Sequence, residues 1–198
     1  MTATRAVRDE AALRELAAEA DRRFAGLEPV AAARAALSWA HETFGDELAV
    51  ASSMGDEALV HLASVEAPGV DVIFLDTGFH FAETIGTRDA VAATYDVNVR
   101  TVLPLLTVAE QAEQHGADLW ATAPDQCCAL RKVEPLNRGL APYTAWVTGM
   151  RREDAPTRTD IPVVGWDERR AKLKLNPLAA WTQADVDALS GCREIPGN

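Results

Sequence analysis

Short, continuous apolar runs alternating with helical stretches constrain this chain more than any other feature. Leu48-Ala49-Val50-Ala51, Val72-Ile73-Phe74-Leu75 and Ala145-Trp146-Val147-Thr148 are four-residue runs, each ending at small or hydroxyl residues. Between them, apolar positions recur at helical spacing, as in Ala58, Leu59 and Leu62. A strand that is apolar on both faces needs cover on both, and helical crossovers provide it between parallel strands. The expected fold is therefore α/β, an open parallel sheet with helices on both faces. Further strands are expected at residues 98–103 and 172–175.

The remaining segments follow from local signals. Leu13, Leu16, Ala17 and Ala20, then Ala33, Ala36, Leu37 and Ala40, predict two helices within residues 1–46. Pro29 suits the first turn of the second helix and Gly45 its end. This divides the chain into a helical preface, 1–46, and a nucleotide-binding α/β domain, 47–198. Helices are expected at about 81–95, 108–114 and 127–140, with 117–126 irregular and 151–160 a polar loop. Thr182 is the expected N-cap of a final helix.

Composition narrows the class. At 198 residues, 48% hydrophobic and 25% charged, the chain has the make-up of a globular protein. No apolar run approaches the roughly 18 residues of a membrane span, and Met1 to Glu10 has no apolar core of a secretory signal. Three cysteines without framework spacing agree with a cytoplasmic location and no membrane partner. The net charge is −11, yet residues 131–174 carry ten Lys/Arg against six Asp/Glu, a net of +4. A locally basic segment in an acidic protein points to a small anionic ligand rather than nucleic acid; on charge alone, a solvated face remains the alternative.

In open α/β sheets the ligand crevice lies outside the carboxyl ends of the strands. That places residues 52–55, 76–78 and 149–152 on one rim. Ser52-Ser53-Met54-Gly55-Asp56 is a strand-turn-helix junction able to offer backbone N–H groups to phosphate or sulfate, or simply an N-cap. It lacks the Gly-Lys-Ser/Thr of a P-loop. Asp76-Thr77-Gly78 either orients a ribose or base, with Gly78 allowing close backbone approach, or is a capped turn. Lys132, Arg151, Arg152 and Arg158 form a basic group suited to an anion, with ion pairs to Glu153 and Asp154 as the rival reading.

Cys127-Cys128 is the most telling chemical pair. A single free cysteine reads as a small buried hydrophobe. Two adjacent ones near Arg131-Lys132 point to thiolate ligands of a metal or cluster, since a disulfide between neighbours closes a strained ring. Two ligands do not complete a tetrahedral zinc or cubane site, and Cys192 stands alone near the end. His41, His61, His80 and His115 have no metal-ligand spacing, although His80 lies beside the 76–78 turn.

Taken together, these segments resemble the adenylyl-sulfate reductases, the iron–sulfur branch of the assimilatory sulfonucleotide reductases. The matching stretches are Ser52-Ser53-Met54-Gly55, Ile73-Phe74-Leu75-Asp76-Thr77-Gly78-Phe79, Cys127-Cys128-Ala129-Leu130-Arg131-Lys132, Gly149-Met150-Arg151-Arg152 with Pro156-Thr157-Arg158, and Lys174-Leu175-Asn176-Pro177-Leu178 with Trp181-Thr182. The resemblance implies an adenine-nucleotide α-hydrolase-like sheet holding adenosine 5′-phosphosulfate on its carboxyl rim. Ser52, Ser53 and Gly55 would face the phosphosulfate, and Asp76, Thr77, Gly78 and Phe79 the nucleoside. Lys132, Arg151, Arg152 and Arg158 would neutralise the anion. Cys127 and Cys128 would be two of four ligands to a [4Fe-4S] cluster, a pair that favours the substrate without a 3′-phosphate.

The implied reaction converts adenosine 5′-phosphosulfate and reduced thioredoxin to sulfite and AMP, starting with attack on sulfur by a C-terminal cysteine thiolate. Thioredoxin is the implied partner, and a homo-oligomer is compatible with the resemblance. The sequence as written reaches Asn198 before the family's C-terminal Cys-x-x-Cys and Glu-Cys-Gly, so no catalytic nucleophile is assigned and turnover is expected to be impaired. Two alternatives remain. One is an ATP pyrophosphatase or adenylating enzyme on the same sheet, of whose Ser-Gly-Gly-x-Asp-Ser signature residues 52–56 are a partial echo. The other is a non-catalytic nucleotide-binding remnant.

Overall fold

Two helices lead the chain, α1 (Glu10–Phe24) and α2 (Pro29–Phe44). Asp9 starts α1 by accepting the Ala12 N–H on Oδ1 at 2.7 Å. Pro29 occupies the first turn of α2, and Gly45 follows its end with φ +51°. The computed structural model describes residues 9–55 and 57–191, so Asp56 and Cys192 lie outside the described residues.

The remaining elements alternate as the apolar runs demand. β1 (Leu48–Ala51), α3 (Ala58–Glu66), β2 (Val70–Leu75), α4 (Ala82–Thr94) and β3 (Val97–Val102) build one half. After α5 (Val108–His115), α6 (Leu119–Thr122), α7 (Pro124–Cys128) and α8 (Glu134–Leu140) come β4 (Ala145–Thr148), β5 (Val164–Asp167), β6 (Lys172–Leu175) and α9 (Gln183–Gly191). The sheet order is β3-β2-β1-β4-β6-β5. All pairs are parallel except the β5–β6 edge, which is antiparallel.

Strand side chains alternate between faces, so each strand contributes to two cores. Val50, Val72, Phe74, Val147, Leu173 and Leu175 meet Leu13, Phe24, Leu37, Leu62 and Trp181 on one face. Ala49, Ile73 and Trp146 meet Leu140 and Tyr143 on the other. The first two helices thus share the main core with the sheet. Among the described residues no helix is long and apolar enough to cross a membrane.

Three local readings are corrected. Residues 117–126 are largely helical, because Pro124 opens α7 and extended Ala123 (φ −146°, ψ 70°) separates it from α6. The cysteine pair therefore sits at the end of α7, not at a helix start, and is followed by a π-helical turn, Ala129–Val133. The edge strand β5 escapes sequence reading because Val164-Gly165-Trp166-Asp167 is neither a continuous apolar run nor a clean alternation. Finally, the loop after β4 is not wholly irregular, since it holds 3₁₀ turns at Arg152–Asp154 and Pro156–Arg158. Thr182 does cap α9: its Oγ1 accepts the Asp185 N–H at 3.3 Å, and Asp185 Oδ2 accepts the Thr182 N–H at 2.7 Å.

Candidate functional site

Chain order reverses at β1, which pairs with β2 on one side and β4 on the other. Such a switch point leaves a crevice at the carboxyl ends, where the outgoing connections part to opposite sides. A cleft of about 400 Å³ opens there. Its floor is apolar, from Ala51 of β1 and Ile73 and Leu75 of β2, with Leu59, Leu136 and Leu178 as walls. Its polar lining comprises Ser52, Ser53, Thr77, His80, Lys132, Asp154 and Arg158. An apolar slot with a few converging polar groups, in this size range, suits a small organic ligand with an anionic end.

The serine turn is tightly held. Ser52 Oγ accepts the Met54 N–H at 3.1 Å, and Ser52 N–H donates to the Ile73 carbonyl at 3.1 Å. Met54, buried, adopts φ +59°, an uncommon conformation for a residue with a Cβ. The turn directs Ser52 and Ser53 into the cleft, while Gly55 is exposed outside its lining.

At the end of β2 the backbone turns sharply. Asp76 Oδ1 accepts the Gly78 N–H at 3.0 Å, and Gly78 has φ +75°. A Cβ at Gly78 would lie 3.0 Å from Val108 Cγ2, so any other residue would be strained by the positive φ and crowded by that methyl. Thr77 lines the cleft; Asp76, Gly78 and half-exposed Phe79 do not. His80 Nε2–H donates to the Leu75 carbonyl at 2.8 Å, bringing its ring into the lining.

Buried Arg131 stitches this turn to the cysteine helix. Its Nε donates to Gln111 Oε1 (2.7 Å) and its Nη1 to the Thr77 carbonyl (3.2 Å), with the guanidinium 5.3 Å from the Phe79 ring centroid. Cys127 is buried like Arg131, whereas Cys128 and Lys132 are exposed. Arg131 and Lys132 lie within the π-helical turn, and such turns recur at functional sites. Lys132 reaches the cleft, and no carboxylate pairs with it among the described residues.

The four basic candidates separate clearly. Arg158 lines the cleft, its Nη1 donating to Asp154 Oδ2 at 3.0 Å. Arg151 lies outside the lining and is engaged by Asp154, Glu153 and Gln183 at 3.1, 3.1 and 3.0 Å. Arg152 is also outside, donating from Nε to the Ile161 carbonyl at 3.0 Å. Sequence reasoning missed Asp154 and Met150 as lining residues. Asp154 could have been found from its spacing, three residues past one arginine and four before another.

Burial works against ionisation of Asp154, but the Arg151 backbone N–H and the Arg151 and Arg158 charges outweigh it and hold the carboxyl below its usual range. A depressed acid pKa stabilises the fold above the unfolded value, about 4, and that contribution is lost as pH falls through the lower folded value. Asp154→Asn is expected to lower the melting temperature at pH 7, with the difference from wild type closing at acid pH. A pH series of thermal melts checks this.

The cysteine pair supplies only part of a metal site. A [4Fe-4S] cluster requires four ligands, and these neighbouring thiols supply two. Among the described residues no group of three or more His, Cys, Asp or Glu is arranged to hold a metal ion. The described residues therefore do not complete a cluster site, and neither thiol lines the cleft.

Comparison with known proteins gives this geometry a lineage. Residues 47–198 match the family model described as phosphoadenosine phosphosulfate reductase domain. The chain belongs to that family. It is 57% identical over 181 residues to the adenosine 5′-phosphosulfate reductase of Streptomyces coelicolor, covering 91% of this chain and 76% of that protein. It is 55% identical over 156 residues to the Mycobacteroides abscessus protein of the same name, covering 79% of this chain and 66% of that protein. The phosphoadenylyl-sulfate reductase of Candida auris, solved as a phosphate complex, superposes with a TM-score of 0.77 at 27% identity, covering 100% of this chain and 91% of that one. The FMN adenylyltransferase of Candida glabrata shares the fold alone, with a TM-score of 0.51 at 13% identity over 91% of this chain and 65% of that one.

Proposed function

We propose that this chain binds adenosine 5′-phosphosulfate in the β1–β4 cleft and acts in thioredoxin-dependent adenylyl-sulfate reduction in the cytoplasm. One observation carries the reading: Lys132 and Arg158, from separate elements, line the same apolar-floored cleft beside the serine turn. Two cations in one lining suit a phosphosulfate, and the aliphatic floor suits a purine nucleoside. The names of the similar bacterial proteins favour the nucleotide without a 3′-phosphate.

In the proposed chemistry a cysteine thiolate attacks the sulfate sulfur, the S–O bond to the phosphate breaks, and AMP leaves with that electron pair. Lys132 and Arg158 would hold the anion and offset charge developing on the departing phosphate. One thioredoxin thiolate then attacks the cysteine sulfur of the S-sulfocysteine, expelling sulfite and forming a mixed disulfide. The second thioredoxin thiol resolves it, freeing the cysteine and leaving thioredoxin as its disulfide. Because neither Cys127 nor Cys128 lines the cleft, the described residues account for substrate binding rather than nucleophilic attack. As two ligands of an iron–sulfur cluster, Cys127 and Cys128 would need further ligands from outside the described residues. Iron and acid-labile sulfide analysis after anaerobic purification checks this: any cluster iron carried by wild type is expected to be lost in Cys128→Ser, whereas equal iron in both would reject the assignment.

Calorimetric titration tests the nucleotide reading. Adenosine 5′-phosphosulfate is expected to bind more tightly than its 3′-phosphorylated form, and Mg-ATP to be left without pyrophosphate release. ATP-dependent pyrophosphate release would instead identify an adenylating enzyme, and no nucleotide binding a remnant.

A further inference from the structure

Beside the cleft lies a cation that none of the above employs. Lys174 on β6 is the register partner of Trp146 on β4, and its Nζ is 5.1 Å from that indole centroid. Arg170 packs on the same indole, 5.2 Å from its centroid, so the ring props both cations. The Lys174 Nζ donates to Met150 Sδ at 3.2 Å, and Met150 lines the cleft. The methionine side chain thus links the ammonium to the lining of the ligand space.

The arrangement leaves this charge poorly compensated. A thioether is a weak acceptor, and no carboxylate forms an ion pair with Lys174 among the described residues. Asp167, the acid that acts on it, is bonded to Arg170 Nη1 at 2.9 Å, while Arg170 and Arg158 repel it. Burial, first, and these two arginines hold its ammonium below the usual lysine range. An anion entering between Arg158 and Lys174 would relieve the repulsion and replace a weak acceptor by a charged one. Methionine is unbranched and changes rotamer readily, so Met150 can yield the space.

We propose that Lys174 is a third cationic ligand for the anionic end of the substrate, screened by Met150 as a displaceable plug until the anion arrives. This rests on the sulfonucleotide reading above. Lys174→Met keeps the aliphatic stem while removing the charge. Calorimetry is expected to show adenosine 5′-phosphosulfate affinity falling roughly tenfold or more, with adenosine affinity unchanged. In wild type, anion affinity is expected to fall as pH rises through the lowered lysine pKa; Lys174→Arg should remove that fall, with Asp167, Arg170 and Arg158 unchanged around it. Equal phosphosulfate affinity in folded Lys174→Met, or equal loss for adenosine and phosphosulfate, would overturn the proposal. So would the same alkaline fall in Lys174→Arg, which serves if Lys174→Met does not fold. Wild type binding no sulfonucleotide would instead remove the underlying reading.

Discussion

Replacing Arg158 by alanine is expected to weaken adenosine 5′-phosphosulfate binding by roughly 10- to 100-fold while leaving the fold intact. Hydrogen bonds to charged groups contribute about 1.5–3 kcal/mol, and Arg158 lines the cleft. Its structural cost is small: its side chain is 37% exposed, and its ion pair with Asp154 is of a kind that contributes about 0–1 kcal/mol. Arg158→Lys should recover only part of the affinity, because an ammonium cannot make the paired contacts of a guanidinium. Arg151→Ala is the informative contrast. Arg151 sits outside the cleft, so its loss should loosen the 151–158 loop more than it weakens the ligand contact. Titration calorimetry with parallel thermal melts separates the two effects. Equal affinity in Arg158→Ala and wild type would remove Arg158 from the anion site.

The largest effect on stability is expected at Trp181. This side chain is 1% exposed, belongs to the main core, and donates Nε1–H to the Pro29 carbonyl at 3.1 Å. It thereby pins the entry to α9 against the start of α2, joining segments about 150 residues apart in the chain. Trp181→Ala is expected to lose about 3–5 kcal/mol, from lost burial, the cavity left behind and an orphaned carbonyl. Trp181→Phe should recover most of the packing but not the hydrogen bond. Urea unfolding should show a lower midpoint with an unchanged slope. A midpoint within error of wild type would mean that the core closes without this residue.

Much of the architecture was legible because parallel strands buried on both faces leave a strong mark in sequence. Val72-Ile73-Phe74-Leu75 could serve little else, and its C-terminal turn declared the rim. β5 left no such mark, since an antiparallel edge strand can carry glycine and aspartate without exposing a core. The basic group was legible as a group but not as individuals. Arg151, Arg152 and Arg158 lie within eight residues of one another, yet two 3₁₀ turns and the carboxylates of Glu153 and Asp154 direct only Arg158 into the cleft. Lys174 appeared in the sequence only as part of a matching stretch, with no role, for another reason. Its meaning depends on strand register, which places it beside Trp146 and behind Met150, and register is not encoded in local spacing. The cysteine pair pointed to the lineage, although the structure keeps both thiols away from the cleft lining.

In the proposed binding mode the anionic end of an adenine sulfonucleotide lies between Lys132 and Arg158 at the β1–β4 switch point. A crystal structure of the chain soaked with adenosine 5′-phosphosulfate tests it most directly. Phosphosulfate density is expected within hydrogen-bond reach of Lys132 and Arg158, with the nucleoside over Ala51, Ile73 and Leu75. Density for the ordered nucleotide at any other surface, with this cleft empty, would contradict it.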